Sequence, residues 1–182
     1  MLIDGLYGMV DPAFGEVDPQ LRCLVGEGVR PIQVRCKGWP RSAVRELVTR
    51  WRREADLIVN DDAELAAELG LLVHLGHDDG QAQGPFGRST HNIAQVRAAA
   101  AAVYVGFGPI FSTPTKAQRW SPTGVSGLRD AVLAAAVPIV AIGGINPENI
   151  DSVRGTGVAG WAVLAGIWRA TDPKNAIRAL RK

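Results

Sequence analysis

Tyr104-Val-Gly-Phe-Gly-Pro-Ile-Phe-Ser-Thr-Pro-Thr-Lys116 reads as a buried strand running into a ligand loop. The Ala98–Ala102 run precedes it, and Val103 and Val105 flank its first aromatic residue. Gly106 and Gly108 have no Cβ, so the backbone there can approach another chain segment or a ligand closely. Pro109 and Pro114 stiffen the loop beyond the strand, and Thr113, Thr115 and Lys116 gather two hydroxyls and an ammonium within four residues. Such donors beside glycines suit a phosphate. Taken alone, the segment reads equally well as a solvated Pro/Thr loop.

The same grammar extends in both directions. Strands are expected at Leu6–Val10, Pro31–Arg35, Leu57–Val59, Leu71–Leu75, Phe86–Thr90, from Val103, at Pro138–Ile142 and at Trp161–Leu164. Between them lie helical patterns. In Ser42–Arg53, Val44, Leu47, Val48 and Trp51 fall at i, i+3, i+4 and i+7, leaving Arg41, Arg45, Thr49, Arg52 and Arg53 as a wet face. Pro19–Glu27, Ala63–Leu69, Ile93–Ala102 and Val125–Ala136 also read as helices. Asn146-Pro147-Glu148 and Asp172-Pro173 open two more with a cap residue followed by proline. Ala176, Ile177 and Leu180 form the apolar side of the last. One unit breaks the pattern. Only ten residues separate Gly76 from Gly87, with Gly80, Gly84 and Pro85 among them, so the fourth helix is expected to be shortened or missing.

Continuous apolar strands alternating with helices imply a parallel sheet covered on its faces, and eight such units close as a (β/α)8 TIM barrel. The 182 residues fall below the usual length of about 200 to 400 for such barrels. The missing helix accounts for part of the deficit, and an open doubly wound sheet is the alternative. Residues 1–182 read as a single domain. The chain is 47% apolar, enough for a full core. Its formal net charge of +2 gives no reason to expect nucleic acid or a membrane surface as partner. Cys23 and Cys36 make neither a disulfide framework nor a zinc site, and no apolar run has membrane-spanning length. Without a basic leader before Val10, the expected compartment is the cytoplasm.

In a TIM barrel the active site forms at the C-terminal ends of the strands. Gln33, Arg35 and Lys37 alternate after the second strand and are expected to share one face as an anion site. Asn60 and Asp61 follow the third strand and Asp79 the fourth, so adjacent strands can bring the two carboxylates together on a Mg²⁺. Ser89-Thr90-His91 follow the fifth strand, Gly143-Gly144 the seventh and Ala165-Gly166 the eighth. Loops 7 and 8 of such barrels commonly bind a phosphate.

Gln33–Lys37, Val59–Asp61, Val73–Asp79, Ser89–His91, Gly106–Lys116 and Ala141–Pro147, in that order, resemble the thiamine-phosphate synthase (thiamine-phosphate pyrophosphorylase) family. The resemblance runs from Leu6 to about Leu180, and the Gly-Pro-Ile-Phe…Thr-Lys segment is its most specific part. It implies a (β/α)8 barrel joining hydroxymethylpyrimidine diphosphate to thiazole phosphate, giving thiamine phosphate and diphosphate. Gln33, Arg35, Lys37, Asn60, Ser89 and Lys116 would hold the pyrimidine diphosphate, with Arg35, Lys37 and Lys116 neutralising the leaving group. Asp61 and Asp79 would ligate Mg²⁺. Thr113, Thr115, Gly144 and Leu164-Ala165 would hold the thiazole phosphate. The implied route is dissociative, through a pyrimidine methylene cation, and needs no protein nucleophile.

Cys36 stands where the family usually has an acid, His77 where it has Gln and Ala165 where it has Ser. The segment around Arg53-Glu54-Ala55 is abbreviated, like the fourth helix. The related thiazole tautomerase, in which a histidine matching His91 acts as acid/base, is the alternative enzyme. A shortened non-catalytic paralogue binding a thiamine precursor is the other. Asp61, Asp79 and Lys116 favour the synthase, because a tautomerase has no use for them. The flank left thin by the missing helix is expected to be mobile or used in a homodimer contact.

Overall fold

A computed structural model describes residues 3–80, 82–112 and 120–181. The eight strands are β1 (Gly5–Val10), β2 (Ile32–Val34), β3 (Leu57–Asn60), β4 (Leu72–Leu75), β5 (Phe86–Thr90), β6 (Tyr104–Phe107), β7 (Ile139–Ile142) and β8 (Gly160–Val163). They form a closed barrel in sequence order, every neighbouring pair parallel. The pairing of Gly5–Gly8 with Gly160–Val163 closes the ring and excludes the open doubly wound sheet.

The helices are α1 (Val17–Gly26), α2 (Arg41–Trp51), α3 (Ala63–Leu69), α4 (Ile93–Ala98), α5 (Gly124–Ala134), α6 (Ile150–Arg154), α7 (Ala165–Trp168) and α8 (Pro173–Arg181). No helix is assigned among the described residues between β4 and β5, as the residue count predicts. Most boundaries shift by one or two residues, and two helix boundaries shift by about a turn. Asn146-Pro147-Glu148 precedes α6 as a capping turn: the Asn146 side-chain oxygen accepts from the Glu148 and Asn149 amides, and regular helix starts a turn later. The alanine run does not carry α4 to Ala102, because the chain turns after Ala98 to enter β6.

An outer core packs strands against helices. Leu47, Val48 and Trp51 of α2 and Ala176, Ile177 and Leu180 of α8 are buried there. The wet face of α2 is not simply solvated. Arg41 bonds Asp62 and Glu64, Arg45 bonds Glu68 and Arg52 reaches the Leu69 carbonyl, lacing α2 to α3. A second core fills the barrel, with Tyr7, Met9, Ile58, Tyr104, Val140 and Ala162.

Where the fourth helix is missing, Arg88 of β5 serves as a staple. Its guanidinium donates to the carbonyls of Gly76, Asp79 and Gly80 at 2.6–2.8 Å and lies 5.1 Å over the Phe86 ring. The β4–β5 loop is thus held by side-chain bonds to its backbone carbonyls.

Candidate active site

Glycines make room for rings inside the barrel. A Cβ on Gly87 would lie 2.1 Å from the Tyr104 ring, and one on Gly106 would lie 3.3 Å from His74. With that space open, six polar side chains from six strands touch in series. Ser89 Oγ lies 2.8 Å from His74 Nε2. His74 Nδ1 lies 2.7 Å from the Tyr104 hydroxyl, which lies 2.9 Å from that of Tyr7. Tyr7 donates to Gln33 Oε1 at 3.2 Å, and Gln33 Nε2 donates to Asn60 Oδ1 at 2.7 Å. Tyr7, Gln33, His74 and Tyr104 are all buried. Burial pushes both tyrosine hydroxyls well above their ordinary range, so both keep their protons.

The series links two openings. Ser89 lines a central cavity of about 610 Å³, with Arg35, His91, Gly143, Gly144, Leu164 and Ala165. Asn60 lines an outer groove of about 700 Å³, with Lys37, Trp39, Arg41 and Asp61. Gln33, Arg35 and Lys37 therefore do not act as one face. The strand ends at Val34, so alternation stops there. Gln33 faces the barrel interior. Arg35 donates to Asp11, whose other oxygen accepts from the Ala13 amide. Gln20 clamps the Asp11 backbone with both amide atoms, receiving its N–H and donating to its C=O at 3.0 Å. Lys37 turns outward and pairs with Asp61 at 3.1 Å.

Asp61 has φ +63°, the left-handed region that aspartate tolerates better than most residues. Its amide donates to the His74 carbonyl at 2.9 Å, tying the ends of β3 and β4 together. Asp79 Oδ2 accepts from the Gly76 amide at 2.6 Å. Among the described residues no three His, Cys, Asp or Glu side chains converge. Asp61 lines the outer groove, whereas Asp79 is turned back onto its own loop and lines neither of these two openings.

At the other end of the cavity, Gly144 has φ +67°, and a Cβ there would lie 2.6 Å from the Ser112 carbonyl. A Cβ on Gly166 would lie 2.3 Å from the Ile145 carbonyl, and one on Gly108 would lie 2.0 Å from that of Ile142. Loops 6, 7 and 8 thus meet backbone to backbone. Leu164 and Ala165 start α7 at this junction. Thr113, Thr115 and Lys116 lie outside the described residues. His91 donates from Nδ1 to the Gly108 carbonyl at 2.5 Å and stacks on Trp120, with ring centroids 4.7 Å apart and planes 13° apart. Burial, with the Asp11 charge adding to it, pushes the Cys36 thiol up to about 11, so it is no nucleophile at neutral pH.

Tyr7, Asp11 and Arg88 lie outside the motifs read from the sequence, and His74 and Tyr104 fall inside two of them without being given a role. Tyr7, His74 and Tyr104 each carry a polar atom within an apolar strand, a signal in the sequence that could have pointed to them.

A closed (β/α)8 barrel with a cavity at the carboxyl ends of its strands, edged by arginine, serine and histidine, has the design of a TIM-barrel enzyme. The chain belongs to the thiamine monophosphate synthase family, whose model matches residues 7–167. It is 38% identical to a thiamine-phosphate synthase of Anaeromyxobacter dehalogenans, over 96% of this chain and 85% of that protein. It is 36% identical to one of Archaeoglobus fulgidus, over 96% and 90%. Among solved structures, the thiamine phosphate pyrophosphorylase of Pyrococcus furiosus superimposes with a TM-score of 0.86 at 28% identity, over 97% of this chain and 93% of that one. A 3-hexulose-6-phosphate synthase from Salmonella typhimurium, at 16% identity and a TM-score of 0.74, shares the fold alone.

Proposed function

We propose that this chain is a thiamine-phosphate synthase, a transferase that joins hydroxymethylpyrimidine diphosphate to thiazole phosphate. The observation that carries the reading is the pairing of two differently equipped openings by one buried polar series. The outer groove offers Lys37, Asp61 and Asn60; the central cavity offers Arg35, Ser89 and the loop 7–8 backbone.

In this reading the pyrimidine rests against Asn60 and Ser89, with Gln33 behind them, and its diphosphate faces Arg35 and Lys37. The bond from the pyrimidine methylene to the diphosphate oxygen breaks and its electron pair leaves with the diphosphate. Arg35, braced by Asp11, and Lys37 neutralise the charge that grows there; Lys116 is assigned the same task. The thiazole nitrogen then donates its lone pair to the methylene carbon, forming the new C–N bond. Asp61 and Asp79 would hold Mg²⁺, which supplies further charge neutralisation on the diphosphate. The thiazole phosphate is assigned to Gly144, Leu164 and Ala165, with Thr113 and Thr115. Lys37 and Asp61 favour the synthase over a tautomerase, since an isomerisation of the thiazole needs no cation–carboxylate pair for a leaving group.

Incubating the protein with both substrates and Mg²⁺, then seeking thiamine phosphate by mass spectrometry, tests the proposal. Product is expected only with both substrates and the divalent ion. Absence of product with all three present overturns it.

A further inference from the structure

The series from Ser89 to Asn60 has a direction, and proton counting fixes it. Between Gln33 and His74 lie three contacts, Gln33–Tyr7, Tyr7–Tyr104 and Tyr104–His74, but only two hydroxyl protons. One end must supply the third. Gln33 gives its amide N–H to Asn60 and turns its carbonyl oxygen to Tyr7, so that end supplies none. Tyr7 donates to Gln33, and Tyr104 therefore donates to Tyr7. The Tyr104 oxygen must then accept from His74 Nδ1–H. In a neutral imidazole protonated at Nδ1, Nε2 is an acceptor. With His74 neutral in this way, Ser89, 2.8 Å away, is the donor and turns its hydroxyl proton inward to Nε2. It meets the central cavity with lone pairs only.

We infer that Tyr7, Tyr104 and His74 are positioning residues that lock Ser89 as a hydrogen-bond acceptor, so that the cavity selects a pyrimidine presenting an exocyclic amino group over its oxo counterpart. This rests on the synthase reading for the identity of the ligand. The amino group donates to Ser89. A ring carbonyl at the same place sets lone pairs against lone pairs, and a buried unmade hydrogen bond is costly. The selectivity comes from three residues behind the serine, one of which, Tyr7, lies three contacts away from it.

Two measurements on the full chain test the relay. First, long-range ¹H–¹⁵N correlation of the imidazoles near neutral pH reads the His74 tautomer directly, with His77→Ala and His91→Ala samples giving the assignment. A protonated Nδ1 and bare Nε2 are expected; a proton on Nε2 overturns the inference. Second, Tyr7→Phe frees the Tyr104 proton to turn toward His74 Nδ1. The tautomer is then expected to switch to Nε2–H, turning the Ser89 proton outward. The amino-over-oxo preference in kcat/KM should fall about tenfold, the worth of one hydrogen bond. An unchanged tautomer and an unchanged preference in Tyr7→Phe overturn the inference. If neither pyrimidine reacts, the synthase reading fails, and the tautomers of the two proteins still decide the relay.

Discussion

Asp61 departs from β3 at positive φ and holds Lys37 at the edge of the outer groove. Asparagine tolerates the same backbone, so Asp61→Asn removes the charge without straining the turn. Turnover is expected to fall by more than about 10²-fold, the usual cost of losing charge stabilisation in a transition state. Steady-state rates with saturating Mg²⁺ check this, and near wild-type rates would remove Asp61 from the metal assignment. Ala165 is the opposite case, a residue lacking a group. It opens α7 on the cavity that Gly144 also lines, with a methyl group and no hydroxyl. A hydrogen bond to a charged group contributes roughly 1.5–3 kcal/mol. Ala165→Ser should therefore lower KM for the thiazole phosphate about tenfold or more. Its kcat and the KM for the pyrimidine diphosphate should hold, since a contact equal in ground and transition states moves KM alone. A change confined to the pyrimidine constant would displace the thiazole site from loop 8.

The β4–β5 loop shows how an element can be replaced by a side chain. Three carbonyls that would otherwise need water or helix are bound by Arg88, whose own strand is part of the barrel. The same loop carries Asp79, so the staple also positions a proposed metal ligand. Arg88→Met keeps a comparable apolar stem over Phe86 and removes the donors. It is expected to destabilise the fold by about 1–3 kcal/mol, read from urea midpoints. Hydrogen exchange in the loop should accelerate more than in β4 or β5. Equal protection in the variant and the parent would show that other contacts hold the loop. The neighbouring unit is built differently: Asn92 accepts from the Gln95 amide while Gln95 accepts from the His91 amide, a reciprocal cap that sets both the start of α4 and the place of His91.

Closure of the barrel brings the chain's two ends together, and α8 is fastened to the end of α1. Arg178 grips Glu27 with two bonds of 2.8 Å, and Arg181 donates to the Glu27 carbonyl. The bonds from Arg178 hold the Glu27 carboxyl below its ordinary value of 4.5. A depressed carboxyl contributes stability that is present above the unfolded value and is lost as pH falls through the folded one. Glu27→Gln is thus expected to melt below the parent at neutral pH, with the gap closing in acid below about pH 4. Thermal melts across roughly pH 3 to 8, a span that brackets carboxylate titration, check the sign. A gap that is constant with pH would show that the clamp does not act through charge.

The sequence by itself determined the succession of strands and helices, because burial on both faces writes continuous apolar runs and amphipathic helices write a period of 3.6. It also determined the missing fourth helix, since ten residues containing glycines and a proline cannot hold one. The family was legible in the order of short loop motifs at the strand ends. Closure was decided only in three dimensions, by the pairing of β1 with β8. So was the separation of Gln33, Arg35 and Lys37, whose alternation has meaning only while the strand lasts. The interior relay was least legible of all. Tyr7 and Tyr104 stand 97 positions apart, and nothing in a local hydrophobic period says which polar atoms meet across a barrel. Their meeting is set by register and by two glycines that leave space for rings, which are properties of the assembled strands.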